Sequence, residues 1–257
     1  MNLKTIKSIW NQSLEEFLIY KSTSIITFVL GIAFFAVEII AGLVFFSNDQ
    51  NINGWTKTSY LSLVTSTSII TYIYNIFFIN GQENLAENIV EGGLDYIFLR
   101  PVSSYWYSVL NSFDIPSFVN LFLSVIFELY LVPFSTINLV SGLSYLLAIV
   151  LAVWFVFTMN QILICLSFWF TGLTAVSGIV ENLLDFTTRP KEIFPKIIQF
   201  TLSWVFPILL VTNVPAQILN IQLNFFYLIY LGIFDICLYK ISNIIWKQGT
   251  KHYLSAN

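Results

Sequence analysis

From Ile25 to Phe46 the chain runs through about 22 residues with one charged side chain, Glu38. A helix of that length is about 33 Å long at 1.5 Å per residue. That is enough to cross the roughly 30 Å hydrocarbon core of a bilayer. Such a stretch has no polar face to offer water, so the surrounding sequence is read with lipid as its solvent. Only 10% of the 257 residues are charged and 57% are hydrophobic, whereas a soluble domain is about 25% charged. Apolar stretches predict six spans at about 24–46, 59–79, 116–134, 142–170, 197–212 and 223–245. The fold class that follows is all-α: a polytopic membrane protein with six transmembrane helices in one transmembrane domain, 1–257. No room is left for a soluble ATPase domain.

The connections refine this layout. Ile6, Ile9, Trp10, Leu14 and Phe17 recur at helical spacing, with Lys4, Lys7 and Glu15 opposite. Residues 1–20 therefore read as an amphipathic helix lying in the membrane interface. They are too polar for the apolar core of a cleavable signal peptide. Asp114 and Pro116 mark the start of the third span, as a cap and a first-turn proline. Pro207 interrupts a short fifth span. The apolar segment 213–222 is too short to span and is expected to be a re-entrant element on the outer side. Trp10, Trp55, Trp106 and Trp246 are expected near the interfaces.

Basic residues orient the chain. With the N-terminus inside, ten of the eleven fall on the cytoplasmic side: Lys4, Lys7, Lys21, Arg100, Arg189, Lys191, Lys196, Lys240, Lys247 and Lys251. Only Lys57 falls outside. Cytoplasmic loops of membrane proteins are enriched in Lys and Arg, so both termini are expected in the cytoplasm. The count treats the charged segment 177–196 as a cytoplasmic loop.

Catalytic constellations are not apparent. The chain has no phosphate-binding G-x-x-x-x-G-K-[ST] loop and no H-E-x-x-H or G-x-S-x-G motif. One histidine and two distant cysteines, Cys165 and Cys237, make neither a metal site nor a disulfide framework. The cysteines read as small buried residues.

The segment 81–100, between spans 2 and 3, is the most informative. Glu83, Glu87, Glu91 and Asp95 recur every four residues, which aligns them in a stripe on a helix. Like charges at this spacing repel mildly, so the stripe does not serve helix stability. A rigid charged helix between two spans suits a coupling element that docks on a soluble motor. A solvated loop helix is the plainer alternative.

The stretch EGGLDYIFLRPVS, from Glu91, resembles the signature of the six-span ABC-2-type permeases. Gly93, Leu94, Asp95, Tyr96, Leu99, Arg100, Pro101 and Val102 carry the resemblance. A looser second match runs through Arg189, Pro190, Ile193, Phe194, Pro195, Pro207, Pro215 and Ala216. The low-charge, Asn- and Ile-rich character departs from the family.

The resemblance implies an exporter-type permease that works as a dimer with the same or a related chain. Two copies of a separate ATPase would bind ATP and Mg; no cofactor belongs to this chain. Substrates of such permeases are drugs, lipids or antimicrobial peptides. The coupling residues would be Glu83, Glu87, Glu91, Gly93, Asp95, Tyr96, Arg100 and Pro101. The setting implied is the plasma membrane of a bacterium, with lipids as neighbours and no nucleic acid.

Ionisable residues inside spans are costly and usually face protein or a wet cavity. Glu38 lies about 21 Å into span 1 and Glu128 about 18 Å into span 3, by helical rise. Both are candidates for lining a translocation path that favours cationic or amphipathic substrates. A hydrogen-bonded contact between helices is the alternative. Asp235, in span 6, is expected to pair or snorkel with Lys240. Two other function classes remain at this point: a non-transporting membrane scaffold or assembly protein, and a carboxylate-based intramembrane enzyme.

Overall fold

The computed structural model describes residues 3–46, 54–132, 137–170, 178–220 and 224–253. The connections at 47–53 and 133–136, and residues 221–222 of the expected re-entrant segment, lie outside them. No β-strand occurs among the described residues. In chain order the helices are α1 (Leu3–Ile19), α2 (Lys21–Phe45), α3 (Lys57–Tyr74), α4 (Asn80–Glu91), α5 (Asp95–Phe98) and α6 (Ser104–Val109). They continue with α7 (Ile115–Leu131), α8 (Leu139–Cys165), α9 (Ile179–Thr187), α10 (Lys196–Phe200), α11 (Ile208–Leu219) and α12 (Phe225–His252).

Among the described residues, four helical stretches are long and apolar enough to cross a membrane: Lys21–Val44, Lys57–Glu91, Leu139–Phe168 and Phe225–His252. Helix α7 is apolar but shorter, at 17 residues. The chain is an all-α polytopic membrane protein. Apolar side chains that a soluble protein would bury face outward, among them Ile25, Val29, Phe34 and Ile40 on α2 and Leu143, Leu146 and Val150 on α8. Such a surface suits contact with lipid or with another apolar protein surface.

Several helix starts follow from local chemistry. The Thr56 hydroxyl accepts the Ser59 N–H at 3.2 Å and caps α3. Asn138 Oδ1 accepts the Ser141 N–H at 2.7 Å and caps α8. Asn224 Oδ1 accepts the Phe226 N–H at 3.1 Å and caps α12. Asp114 precedes α7 with Pro116 in the first turn, but its carboxylate takes the Ser117 hydroxyl rather than a backbone N–H.

Helix α3 does not end at the edge of the expected second span. A π-helical turn at Asn75–Ile79 joins it to α4, giving one continuous helix of 35 residues. A π turn widens the backbone ladder and frees carbonyls. The Ile76 carbonyl accepts the Asp114 N–H at 3.1 Å, which ties the turn to the start of α7.

Helix α8 lies at the centre, against α12, α11 and α3, while α7 packs on α3 and α2. Much of the aromatic content is internal. Trp106 stacks on Phe157 at 5.8 Å and on Tyr239 at 6.2 Å, and Trp246 meets Tyr105 edge-on at 5.6 Å. These tryptophans fasten α6 to α8 and α12. Trp10 on α1 packs on Phe113 and Phe118, and the Ser13 hydroxyl accepts the Phe113 N–H.

The charged segment 177–196 departs from the sequence reading. Asn160 Nδ2 donates to Glu181 Oε1 at 2.8 Å and to the Tyr74 hydroxyl at 2.8 Å. Glu181 therefore sits level with Tyr74, at the far end of α3. Eleven residues later, Glu192 accepts the Trp55 indole N–H at 2.8 Å, just before α3 begins. Tyr74 and Trp55 lie about 28 Å apart by helical rise. Residues 181–192 thus run from one end of α3 to the other, so the segment expected as a loop at one end crosses the bundle.

Hydrophobicity hid this crossing because the segment is rich in charge, while the groups that hold Glu181 and Glu192, Asn160 and Trp55, come from elsewhere in the chain. Its backbone is also unusual: α9 stops at Thr187, and the next residues are not helical. Irregular backbone at membrane depth must be satisfied by protein. Helix α11 supplies the bonds: Thr212 Oγ1 donates to the Thr187 carbonyl, Asn213 Nδ2 donates to the Arg189 carbonyl, and Asn213 Oδ1 accepts the Lys191 N–H. The basic residues redistribute accordingly. Seven remain at the end of the bundle where α4 emerges, Arg189 lies within the crossing, and Lys57, Lys191 and Lys196 share the Trp55 end.

The fifth span expected at 197–212 is not one straight helix. Lys196–Val205 and Ile208–Leu219 meet at 90°. Pro207 sits at the corner, where it supplies no N–H to continue the ladder. Residues 213–219 of the expected re-entrant segment belong to α11, whose end reaches the Trp55 level: the Ser59 hydroxyl donates to Asn220 Oδ1 at 2.9 Å.

Candidate functional site

A polar cleft of about 590 Å³ opens between α2, α3, α7 and α9. Helix α2 contributes Leu30, Phe34, Phe35 and Glu38; α3 contributes Thr67, Ser68, Thr71 and Tyr72. Asp114 and Asn120 close one side and Asp185 of α9 another. The wall holds three carboxylates and no lysine or arginine among its described residues, so it favours positive or hydrogen-bond-donating groups beside apolar bulk. Asp185 and the nearby Arg189 guanidinium are the charges that act on Glu38.

Close helix approach shapes the cleft. The Tyr72 hydroxyl donates to the Gly31 carbonyl at 3.0 Å. A Cβ on Gly31 would fall 2.2 Å from Asn120 Nδ2, so only glycine lets α2 and α7 meet there. Asn120 is 4% exposed, and its Oδ1 has no partner.

A buried hydrogen-bond network connects this region to α4. The Tyr74 hydroxyl donates to Gln82 Oε1 at 2.7 Å. Gln82 Nε2 donates to Gln161 Oε1 and to the Phe157 carbonyl, both at 3.0 Å. Asn160 then links Tyr74 to Glu181 in the first turn of α9. The network contacts the helix that ends in the acidic stripe, the central α8 and the cleft-lining α9.

Beyond the network, α4 to α6 form a platform. Leu85, Ala86, Ile89, Leu94 and Ile97 are buried, while Glu83, Glu87 and Glu91 face outward. Gly92 caps α4 with φ +79°, a left-handed conformation that favours glycine. Gly93 is tight for another reason: a Cβ there would fall 2.2 Å from Asn88 Oδ1. Tyr96 and Leu99 project at 77% and 82% exposure. Arg100 lies over the Tyr107 ring at 4.5 Å, folding the Arg100-Pro101 corner onto α6. Asp95 opens α5.

One close contact holds the platform together and another fixes it to the bundle. Gly81 lies against α6 so closely that a Cβ would fall 2.1 Å from the Val109 carbonyl oxygen. The Tyr253 hydroxyl accepts the Leu94 N–H at 3.0 Å, and its ring packs on Phe98 and Phe168.

A family model described as ABC-2 family transporter protein matches residues 30–257. The chain belongs to the ABC-2 transporter family. A search of curated proteins returns no match. The ABC-2 assignment makes the chain a membrane component of a transporter, a permease subunit.

Other carboxylates of this ABC-2 permease lie apart from the cleft. Glu128, read with Glu38 as a path residue, lines a different cavity. Its Oε1 accepts the Ser62 hydroxyl at 2.5 Å and the Ser66 hydroxyl at 3.4 Å, between α7 and α3. Asp235 is 2% exposed with both oxygens unpartnered, whereas Lys240 is exposed, so the expected pairing does not form. Cys165 is buried, but Cys237 is exposed, against the expectation of two buried thiols.

Three features of the ABC-2 permease escaped the sequence reading. Asp185 and Asn120 were not singled out, and neither was the Gln82–Gln161–Asn160 network. A buried Gln or Asn in an apolar stretch costs free energy unless it is paired. That is the signal by which Gln82, Asn160 and Gln161 stand out in retrospect.

Proposed function

We propose that the chain is the permease subunit of an ABC exporter, driven by a separate ATPase and moving an amphipathic substrate. One observation carries the reading. The continuous helix Lys57–Glu91 walls the polar cleft with Thr67, Thr71 and Tyr72, and at its other end bears the platform with Glu83, Glu87, Glu91 and the projecting Tyr96 and Leu99. A single rigid element joins a docking surface to a path.

On this reading the platform faces the cytoplasm, with both termini, in a bacterial plasma membrane. Two copies of the ATPase bind ATP and Mg and dock on Glu83, Glu87, Glu91, Asp95, Tyr96 and the Gly93, Arg100 and Pro101 turns. A second permease, the same or a related chain, faces the cleft and completes the path. Glu38, Asp114 and Asp185 take the polar part of a drug, lipid or peptide, while Leu30, Phe34 and Phe35 take its apolar part.

The test is co-purification after gentle solubilisation, followed by reconstitution. An associated ATPase whose activity rises with amphipathic substrates supports the reading. A chain that purifies without an ATPase, and whose vesicles accumulate no substrate with ATP, would overturn it in favour of a scaffold or assembly protein or an intramembrane enzyme.

A further inference from the structure

A second cavity, of about 680 Å³, lies between α3, α7 and α8 near the Trp55 end of the bundle. Its volume is within the ligand-pocket range of roughly 300–1,000 Å³. The lining is apolar, with Ile73, Val125, Leu146 and Ile149, apart from Glu128, Asn138 and Tyr145. It shares no lining residue with the polar cleft.

Two of the three polar groups are engaged. Asn138 Oδ1 accepts the Ser141 N–H in capping α8, and the Tyr145 hydroxyl bonds Ser66 at 3.2 Å. Glu128 differs. It is 5% exposed, its Oε1 takes the two serine hydroxyls, and its Oε2 has no hydrogen-bond partner. A buried acceptor left unpaired costs free energy that a donor from an occupant would offset.

The position narrows the occupant. Leu139 and Leu143 beside the cavity face outward, so the opening is lateral, into lipid. Glu128 lies one helical turn, about 6 Å by helical rise, from Val132 at the end of α7. At that depth a lipid places the junction between its glycerol and its chain. A diacyl glycerolipid has both of its acylated glycerol oxygens esterified and offers no donor there. A monoacyl lipid keeps a free glycerol hydroxyl.

We infer that this cavity binds a monoacyl glycerolipid from the membrane, its chain along the α7–α8 wall and its glycerol hydroxyl donating to Glu128 Oε2. The site stands apart from the cleft assigned to export, and its test reads binding rather than transport.

Gly142 provides a clean variant. It lines the cavity, and a Cβ there meets only Ile137 Cγ2, at an ordinary 3.6 Å. Gly142→Phe therefore fills the cavity without a backbone clash. The probe is a monoacyl glycerophospholipid carrying a diazirine in its chain, compared with the same lipid bearing an O-methylated glycerol hydroxyl. The purified protein in nanodiscs is photolabelled and the labelled peptides are mapped by mass spectrometry.

The free-hydroxyl lipid is expected to label α7 and α8, and the methylated lipid about tenfold less, the effect of one buried hydrogen bond. Gly142→Phe should abolish the labelling. Glu128→Leu should remove the preference between the two lipids. Equal labelling of wild type by both lipids overturns the inference, as does labelling of α7 and α8 that survives Gly142→Phe. If Glu128→Leu fails to fold, these two comparisons still decide.

Discussion

The indole N–H of Trp55 donates to the carboxylate of Glu192 at 2.8 Å, across 137 positions of sequence. The two residues therefore lie at the same end of the bundle. Since Glu181 reaches Tyr74 through Asn160 at the opposite end of α3, the chain between them must cross.

Labelling tests this crossing. In a background with Cys165→Ala and Cys237→Ala, cysteines placed at Lys196 and at Tyr96 should react with an impermeant maleimide from opposite sides of sealed vesicles. Reaction of both from one side would remove the crossing.

Tyr96→Ala combined with Leu99→Ala removes the projecting part of the platform. Substitutions of exposed residues shift stability by only about 0.5 kcal/mol, so the melting temperature should hold. Substrate-stimulated ATPase activity of the reconstituted complex should fall to its basal level. Stimulation equal to wild type would deny the platform its docking role.

Gln82→Leu leaves the Tyr74 O–H without its acceptor and Gln161 Oε1 without its donor in a buried setting. Each stranded group costs about 1–3 kcal/mol. Thermal unfolding in detergent should show a lowered midpoint, and the remaining folded protein should couple ATP hydrolysis to substrate less tightly. An unchanged midpoint contradicts the network.

Glu38→Gln and Asp185→Asn remove charges from the polar cleft while preserving size. With expression matched, ATP-dependent uptake of an amphipathic cation into inverted vesicles should drop about tenfold for each, the loss of one charge-assisted contact. Uptake at the wild-type rate in both variants would end the assignment of the cleft as the path.

Glu83 has a raised pKa relative to its ordinary 4.5, first from partial burial and then from the Glu181 and Asp114 carboxylates. The folded chain therefore holds this proton to higher pH than the unfolded chain. Stability falls as pH climbs through that interval, and the ionised form opposes folding above it. Glu83→Gln should melt higher than wild type near pH 7 and with it near pH 4. A variant that melts lower near pH 7 contradicts this environment.

The spans near α2, α8 and α12 were legible because each is a long run with few charges, and periodicity needs nothing more. Glu38 was legible for the same reason: a lone carboxylate in such a run is conspicuous. The crossing at 181–192 was not, because Glu181, Asp185, Arg189 and Glu192 read as a solvated loop until their partners are known. Those partners, Asn160 and Trp55, are distant in sequence. Glu128 looked equivalent to Glu38 by depth alone. Depth does not say which face of a helix a residue occupies, and the two line different cavities. The Tyr253 contact with Leu94, 159 positions away, has no local signature at all.

The unbroken run from Lys57 to Glu91 is a shaft of about 52 Å at 1.5 Å per residue. A push on its platform end has no flexible joint in which to dissipate before it reaches Tyr72 and Thr67. Only the widened turn at Asn75–Ile79 can yield, and the Ile76 carbonyl there is held by Asp114. Torque delivered at the tip would therefore turn one wall of the cleft as a unit, with Asp114 as the bearing against which it pivots.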